Sequence, residues 1–591
     1  MMPMDLILQL FSLKGRKSRR CPHSPLRHRI GTGTLGIALL FATPAVAQLQ
    51  TIPGSISTPY PTAVSIAIEW SFSGDDNGNG EVSVRYRPVS GESWLIGPQL
   101  RRIAAGSNGA FSWSNRHSGS LFDLNSNQAY QIELTLIDPD GGSSIQTVTA
   151  LTRQIPKALN TTTVLPATPG TLSAVLASVQ PGQIVLLQPG SYSGFSIDVS
   201  GQPEAPIVVR ALPGAQINGE LGIFLQHDVM LESLVVNGRI RFNGSDRVTI
   251  RRCVVNASPN QFDGDGIVSF LRSESAYIVD NVVLGTTQWT EAAMGASGAN
   301  RGEGIVVTGP GHLIAHNRVS HFRDNISLME DGSAVDQFSI DIYRNELSQA
   351  ADDAIEADFC FHNCRIRENR VTNAFVAFSS QPGLGGPTYF IRNAAYNVAH
   401  VAFKLYRSSD GDVLLHNSVV KAGDALGLYP GVPVRNTFAR NNLFLGGPGS
   451  VINGFANGSG RVIDFASLEL AGASLNYNGY GSATSAFEGR LGPISFNSLA
   501  QLRALTTESE ASAVSLADFQ ATVGQPNDPL QIYPQQDLRL QAAAAGVDGG
   551  QPMAGINDGF SGAAPDLGAY EFGVDLPVYG PRERLLIDGF E

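Results

Sequence analysis

One repeat position constrains this chain more than any other feature. Aligning the segments VTIRRC, YIVDN, LIAHN, DIYRN, RIREN, YFIRN, VLLHN and TFARN places Cys253, Asn281, Asn317, Asn345, Asn369, Asn393, Asn417 and Asn441 in one column, with gaps of 28, 36, 28, 24, 24, 24 and 24 residues. A period this regular is the signature of a solenoid. The units hold strands and turns and have no room for two helices, and β-branched residues flank the column. The spacing therefore predicts an all-β chain whose main body is a right-handed parallel β-helix with one coil per repeat. Seven asparagines stacked at the strand spacing of roughly 4.8 Å would form an amide ladder, a structural device with no chemistry of its own. Cys253 is expected to be buried in the same slot.

The repeats have a preface. Residues 1–47 carry a basic segment and the apolar run GTLGIALLFATPAVA, which reads as a secretory signal ending at Ala47. No later apolar run is long enough to span a bilayer. Without the signal, 33 Lys+Arg stand against 51 Asp+Glu, a net charge of −18. Such a chain repels polyanions, so nucleic acid is not expected as a partner, and an acidic polymer would need a local cation. The expected product is an exported monomer, extracellular or periplasmic, soluble or attached to the cell surface.

Residues 52–155 alternate apolar and polar in AVSIAIEW, EVSVRYRP and AYQIELTLID, the period of half-buried strands. Leu124 and Tyr130 precede one such strand in a spacing that resembles the tyrosine corner of fibronectin type III domains, which implies a small β-sandwich acting as a spacer or binding accessory. The β-helix is expected over 160–575, with loops and a lateral flap over about 455–545, and a short acidic tail over 576–591. CFHNC (Cys360–Cys364) is expected to hold a disulfide or free thiols ahead of a metal site.

A second column lies nine or ten residues after the first: Ile326, Ile355, Phe378, Phe403 and Leu426, with Ile267 and Ile305 after longer insertions. These should plug the core. Two positions earlier sit Asp265, Glu303, Asp324 and Asp353, an acidic file at the strand spacing. Like charges that close raise one another's pKa or recruit a cation, unless each only caps a turn. The segment QAADDAIEADFC adds Asp352, Glu356 and Asp358. Alternation places Glu356 and Asp358 on the outer face with Gln381, Lys404, Tyr406 and Tyr429, a polar and aromatic surface suited to an oligosaccharide. Glu356 and Lys404 would stand two coils and roughly 10 Å apart, room for a sugar ring. Only Lys157, Lys404 and Lys421 remain after the signal, and a lysine, unlike an arginine, can be tuned into a base.

SVQPGQIVLLQPGSYSG followed by GQPEAPIVVRALPGAQING resembles the opening coils of secreted β-helix polysaccharide lyases, including family nine pectate lyases. VDGGQPMAGINDGFSGAAPDLGAYEFG resembles the closing segment of bacterial β-helix proteins. The resemblance to family nine pectate lyases implies a Ca²⁺ ion held by Asp324, Asp352, Asp353 and Glu356, with Glu356 where the family has Asp. It further implies Lys404 as the base, neutral in a positive field, that takes the C5 proton of a uronic acid residue. Arg407 or Arg323 would neutralise the substrate carboxylate, and Asp358, Gln381, Tyr406, Tyr429 and Arg323 would line the groove. Two alternatives stand beside this lyase: a glycoside hydrolase using paired carboxylates, though the RIK-like signature of β-helix polygalacturonate hydrolases is absent, and a non-catalytic carbohydrate-binding surface protein.

Overall fold

The computed structural model describes residues 47–159, 163–429, 431–484 and 486–582. The expected signal, apart from Ala47, and the last nine residues of the tail lie outside them. No helix among the described residues is long and apolar enough to cross a membrane.

The N-terminal strands Thr51–Ser57, Ile66–Gly74, Glu81–Pro88, Leu95–Ile103, Arg116–Leu121, Ala129–Ile137 and Ser144–Leu151 pair antiparallel in the order first, second, fifth, fourth, third, sixth, seventh. Their alternating side chains Ile66, Ile68, Trp70, Val82, Val84, Ile132, Leu134 and Leu136 form one core. The Asn125 N–H donates to the buried Tyr130 hydroxyl at 2.9 Å.

From Val164 onward the chain coils into two parallel sheets of 13 and 17 strands. The amide ladder runs between them. Asn281, Asn317, Asn345, Asn369 and Asn393 each donate Nδ2–H to the Oδ1 of the next asparagine, ending on Asn417, at 2.9–3.0 Å. Each Oδ1 also accepts the backbone N–H of the preceding ladder residue, beginning with Cys253. The ladder then departs from the 24-residue period. Asn417 donates to Asn442, not Asn441, and Asn442 to Asn478, both at 2.8 Å. Asn478 ends the run on the buried carboxylate of Glu508 at 2.8 Å. Asn441 faces away, toward Gln551 and His416.

The second column holds as a register. Ile240, Ile267, Ile305, Ile326, Ile355, Phe378 and Phe403 pair in succession. All are fully buried. Leu426 is buried too but pairs with Ile463 in a separate four-stranded sheet.

Two faces of the helix are covered. The stretch 455–545, expected as loops and a lateral flap, carries further coil strands such as Ser474–Asn476 and Gly479–Ser482. Its later part and the residues after it lie along the 17-stranded sheet: Val514, Phe519, Val523, Leu538, Leu540, Tyr570 and Tyr579 pack on Ala394, Tyr396, Val420, Leu443 and Leu445. The sandwich is not a free spacer. It docks on the 13-stranded sheet, with Phe122 among Tyr389, Ile391, Val413 and Leu415. Asp341 and Arg365, both fully buried, pair at 2.8 Å between Thr62, Ser65 and Ser120. The Cys360–Cys364 disulfide closes a loop whose Asn363 and His362 engage Ser118, Ser120 and Glu69 of the sandwich.

Candidate functional site

The acidic file is assembled by the coil corners. Gly266 and Gly304 follow Asp265 and Glu303, and a Cβ on either would lie 2.4 Å from a carbonyl oxygen of the next coil. Glycine thus lets these coils approach closely enough for the acids to stack. Glu303 and Asp324 open the strands Glu303–Val307 and Asp324–Leu328. Asp353 sits in the strand Glu346–Glu356, which carries an extra residue. Ser348 pairs with Ser320 and Thr372, and Ile355 with Ile326 and Phe378. Seven steps separate the two positions on this strand and six on its neighbours. The surplus residue falls between Ala350 and Asp353. Such a bulge re-aims side chains, but it ends before Asp353, whose register to Ile355 matches that of Val376 to Phe378.

The result is one compact set of charges. Lys404 Nζ donates to Asp353 Oδ2, and Glu356 Oε1 lies 3.8 Å from the same ammonium. The Asp353 N–H donates to Asp324 Oδ1 at 2.7 Å. Arg323 Nε stands 3.3 Å from Asp324 and 3.8 Å from Asp352. Asp358 Oδ1 accepts from the Ser379 hydroxyl at 2.5 Å and from the Gln381 N–H at 2.7 Å. Glu303 accepts from the Ser327 hydroxyl at 2.9 Å. Asp324, Asp352, Asp353, Glu356 and Asp358 are all buried. Carboxylate oxygens of Asp324, Asp353 and Glu356 lie within 4.8 Å of one another, as do those of Glu330, Glu356 and Asp358. Asp324 Oδ2, Asp353 Oδ1 and Asp358 Oδ2 are buried without a hydrogen-bond partner.

Burial and mutual repulsion push the carboxyls upward: Asp324, Asp352 and Glu356 well above the carboxylate range, Asp358 to about 8 and Glu303, chiefly by burial, to about 7. Burial alone would lower Lys404, but Asp353, Asp358, Glu356 and Asp352 hold it well above the ordinary lysine value. These carboxylates favour the ammonium form of Lys404, the opposite of the field that a bound Ca²⁺ would set up. The expected sugar-sized gap between Glu356 and Lys404 is also closed. Their long side chains meet across the coil of Ser379, whose small side chain permits it.

The remaining expected residues fall around this centre. Asp352 turns to Arg323, outside both carboxylate triads. Gln381 contributes its backbone N–H. Tyr406 is half-buried beside Lys404, its hydroxyl raised to about 12 chiefly by burial. Tyr429 donates to Asp424 at 3.1 Å and packs on His400. Arg407 pairs with exposed Asp331 at 2.8 Å and touches none of the carboxylates of the two triads. Glu330 was not anticipated: it follows the strand Asp324–Leu328, where no repeat position marks it. A cleft of about 330 Å³ between sandwich and helix, lined by Glu69, Arg116, Phe338 and His362, shares no residue with the acidic set.

Searches against protein-family models and curated proteins find no match for this chain.

Proposed function

We propose that this chain is an exported β-helix enzyme that cleaves a uronic acid-containing polysaccharide by Ca²⁺-dependent β-elimination. The observation that carries the reading is the triad of Asp324, Asp353 and Glu356, buried beside Lys404 with two orphaned oxygens. An all-oxygen, anionic donor set suits Ca²⁺. Oxygens within 4.8 Å of one another suit a shared cation better than the roughly 5–9.5 Å carboxyl separations of glycoside hydrolases. The fibronectin type III-like reading of the sandwich is supported by its strand order and Tyr130 contact.

Bound Ca²⁺ would supply positive charge against the substrate carboxylate and against the carboxylates that now grip Lys404. Asp324, Asp353 and Glu356 hold the ion. Arg323, anchored by Asp324 and Asp352, faces the substrate carboxylate. With its carboxylates engaged by the cation, Lys404 would lose its extra proton to solvent and, as the neutral amine, accept the C5 proton. The C4–O bond breaks as the C4–C5 double bond forms, and the leaving oxygen takes a proton from water.

The test is incubation of the exported protein with a panel of uronic acid polymers, with Ca²⁺ or EDTA, following absorbance of the unsaturated uronate. Ca²⁺-dependent absorbance lost in Lys404→Ala is expected. Reducing ends without absorbance would establish hydrolysis instead, and full activity in Lys404→Ala would refute the base.

A further inference from the structure

The second triad is not explained by one ion. Glu330, Glu356 and Asp358 bring carboxylate oxygens within 4.8 Å of one another, a triad that shares only Glu356 with the first. Asp358 is fully buried. Its Oδ1 is used by Ser379 and Gln381, while Oδ2 is buried with no hydrogen-bond partner, and one of its carboxylate oxygens stands within 4.8 Å of those of Glu330 and Glu356. A buried, unpartnered carboxylate oxygen is costly unless a cation meets it. Glu330, half-buried at the rim, leaves an entry path.

Formal charge gives the same count. Glu303, Glu330, Asp324, Asp352, Asp353, Glu356 and Asp358 act on one another as one acidic set, against the cations Lys404 and Arg323. Fully ionised, that set carries −5. With the carboxylates ionised, as cation binding requires, one divalent ion leaves three negative charges uncompensated, whereas two leave one.

We propose that the site takes two divalent cations of the hard, oxygen-seeking class, with Glu356 as the shared carboxylate. The first is held by Asp324 and Asp353, the second by Asp358 and Glu330. This inference rests on the first triad holding a cation, and it adds a second, separately removable ion. Two ions bridged by one carboxylate would offer adjacent ligand positions to an anionic polymer whose carboxylates can span both.

Calcium titration calorimetry on the metal-stripped, full-length exported protein decides it. Two equivalents are expected for the wild type, one for Asp358→Asn and one for Asp324→Asn. Glu330→Gln, which removes a rim ligand without touching a buried hydrogen bond, should weaken one of the two equivalents at least tenfold and keeps the test valid if Asp358→Asn fails to fold. One equivalent in the wild type that survives in both Asp358→Asn and Glu330→Gln would overturn the second ion and leave the first intact. No binding at all would overturn both.

Discussion

Lys404 is the residue on which charge compensation turns. It keeps 11% of its side-chain surface exposed while its ammonium meets Asp353 and Glu356, themselves almost fully buried. Removing one partner of a buried ion pair leaves the other uncompensated, at about 3–5 kcal/mol. Lys404→Met should therefore destabilise the metal-free protein by about that amount. Added Ca²⁺ should restore much of the loss, because the cation substitutes for the missing charge. Chemical unfolding in EDTA and in Ca²⁺ checks both halves; equal losses in the two buffers would show that the carboxylates take no cation. Arg407 makes a contrasting case. It was expected to serve the substrate, yet its partner Asp331 is exposed, and exposed pairs contribute about 0–1 kcal/mol. Strand alternation on the coils could not separate these two roles, because the bulge before Asp353 and the corner after Tyr406 lie outside the regular pattern.

The coil's amide ladder is hydrogen-bonded without a break from Asn281 to Asn478, and that makes it unforgiving. Asn369→Ala removes the acceptor for both the N–H and the Nδ2–H of Asn345, in a fully buried site. Each orphaned buried donor costs about 1–3 kcal/mol, so a loss of about 2–6 kcal/mol is expected in equilibrium unfolding. Hydrogen exchange should show the protection loss centred on the coils flanking residue 369. The ladder also marks how far the sequence could be read. From Asn281 to Asn417 the aligned column and the hydrogen-bonded one coincide, because each turn repeats the same geometry. At Asn441-Asn442 two equivalent side chains stand side by side, and a longer loop shifts the register by one residue. Only packing against Gln551 and His416 decides between them. The bulge was illegible for a related reason: an extra residue is defined by the neighbouring strands and has no composition of its own. The docking of the sandwich depends on contacts such as Arg367 with Asp123 and Asp341 with Thr62, which join separate domains and follow no period.

At the scale of the whole molecule, burial concentrates acidic groups in three places. The site holds Glu303 and Asp358, raised to about 7 and about 8. The ladder's end holds Glu508, raised to about 7 chiefly by burial, with Asn478 and Tyr480 as partners. Beneath the strand that opens at Asp410, Asp412 is buried against Ser409 and likewise raised to about 7. In the unfolded chain these groups titrate near the ordinary carboxylate value of about 4. The unfolded state then releases its protons first as pH rises, so the stabilising contribution is full below about 4 and is lost progressively up to about 7–8. The metal-free protein should accordingly melt at higher temperature near pH 5 than near pH 8. Ca²⁺ changes the slope only at the site, since a cation binds the ionised carboxylates and leaves Glu508 and Asp412 untouched. Its stabilising increment should grow from pH 5 to pH 8, reaching about 2.7 kcal/mol for each site at a concentration 100 times its Kd. Thermal melts at four pH values, with EDTA or Ca²⁺, measure both trends. A Ca²⁺ increment that stays flat or shrinks as pH rises would mean that the buried carboxylates are not the ligands, whereas a rising increment superimposed on a residual fall in EDTA-independent stability separates the site from the ladder's acidic cap.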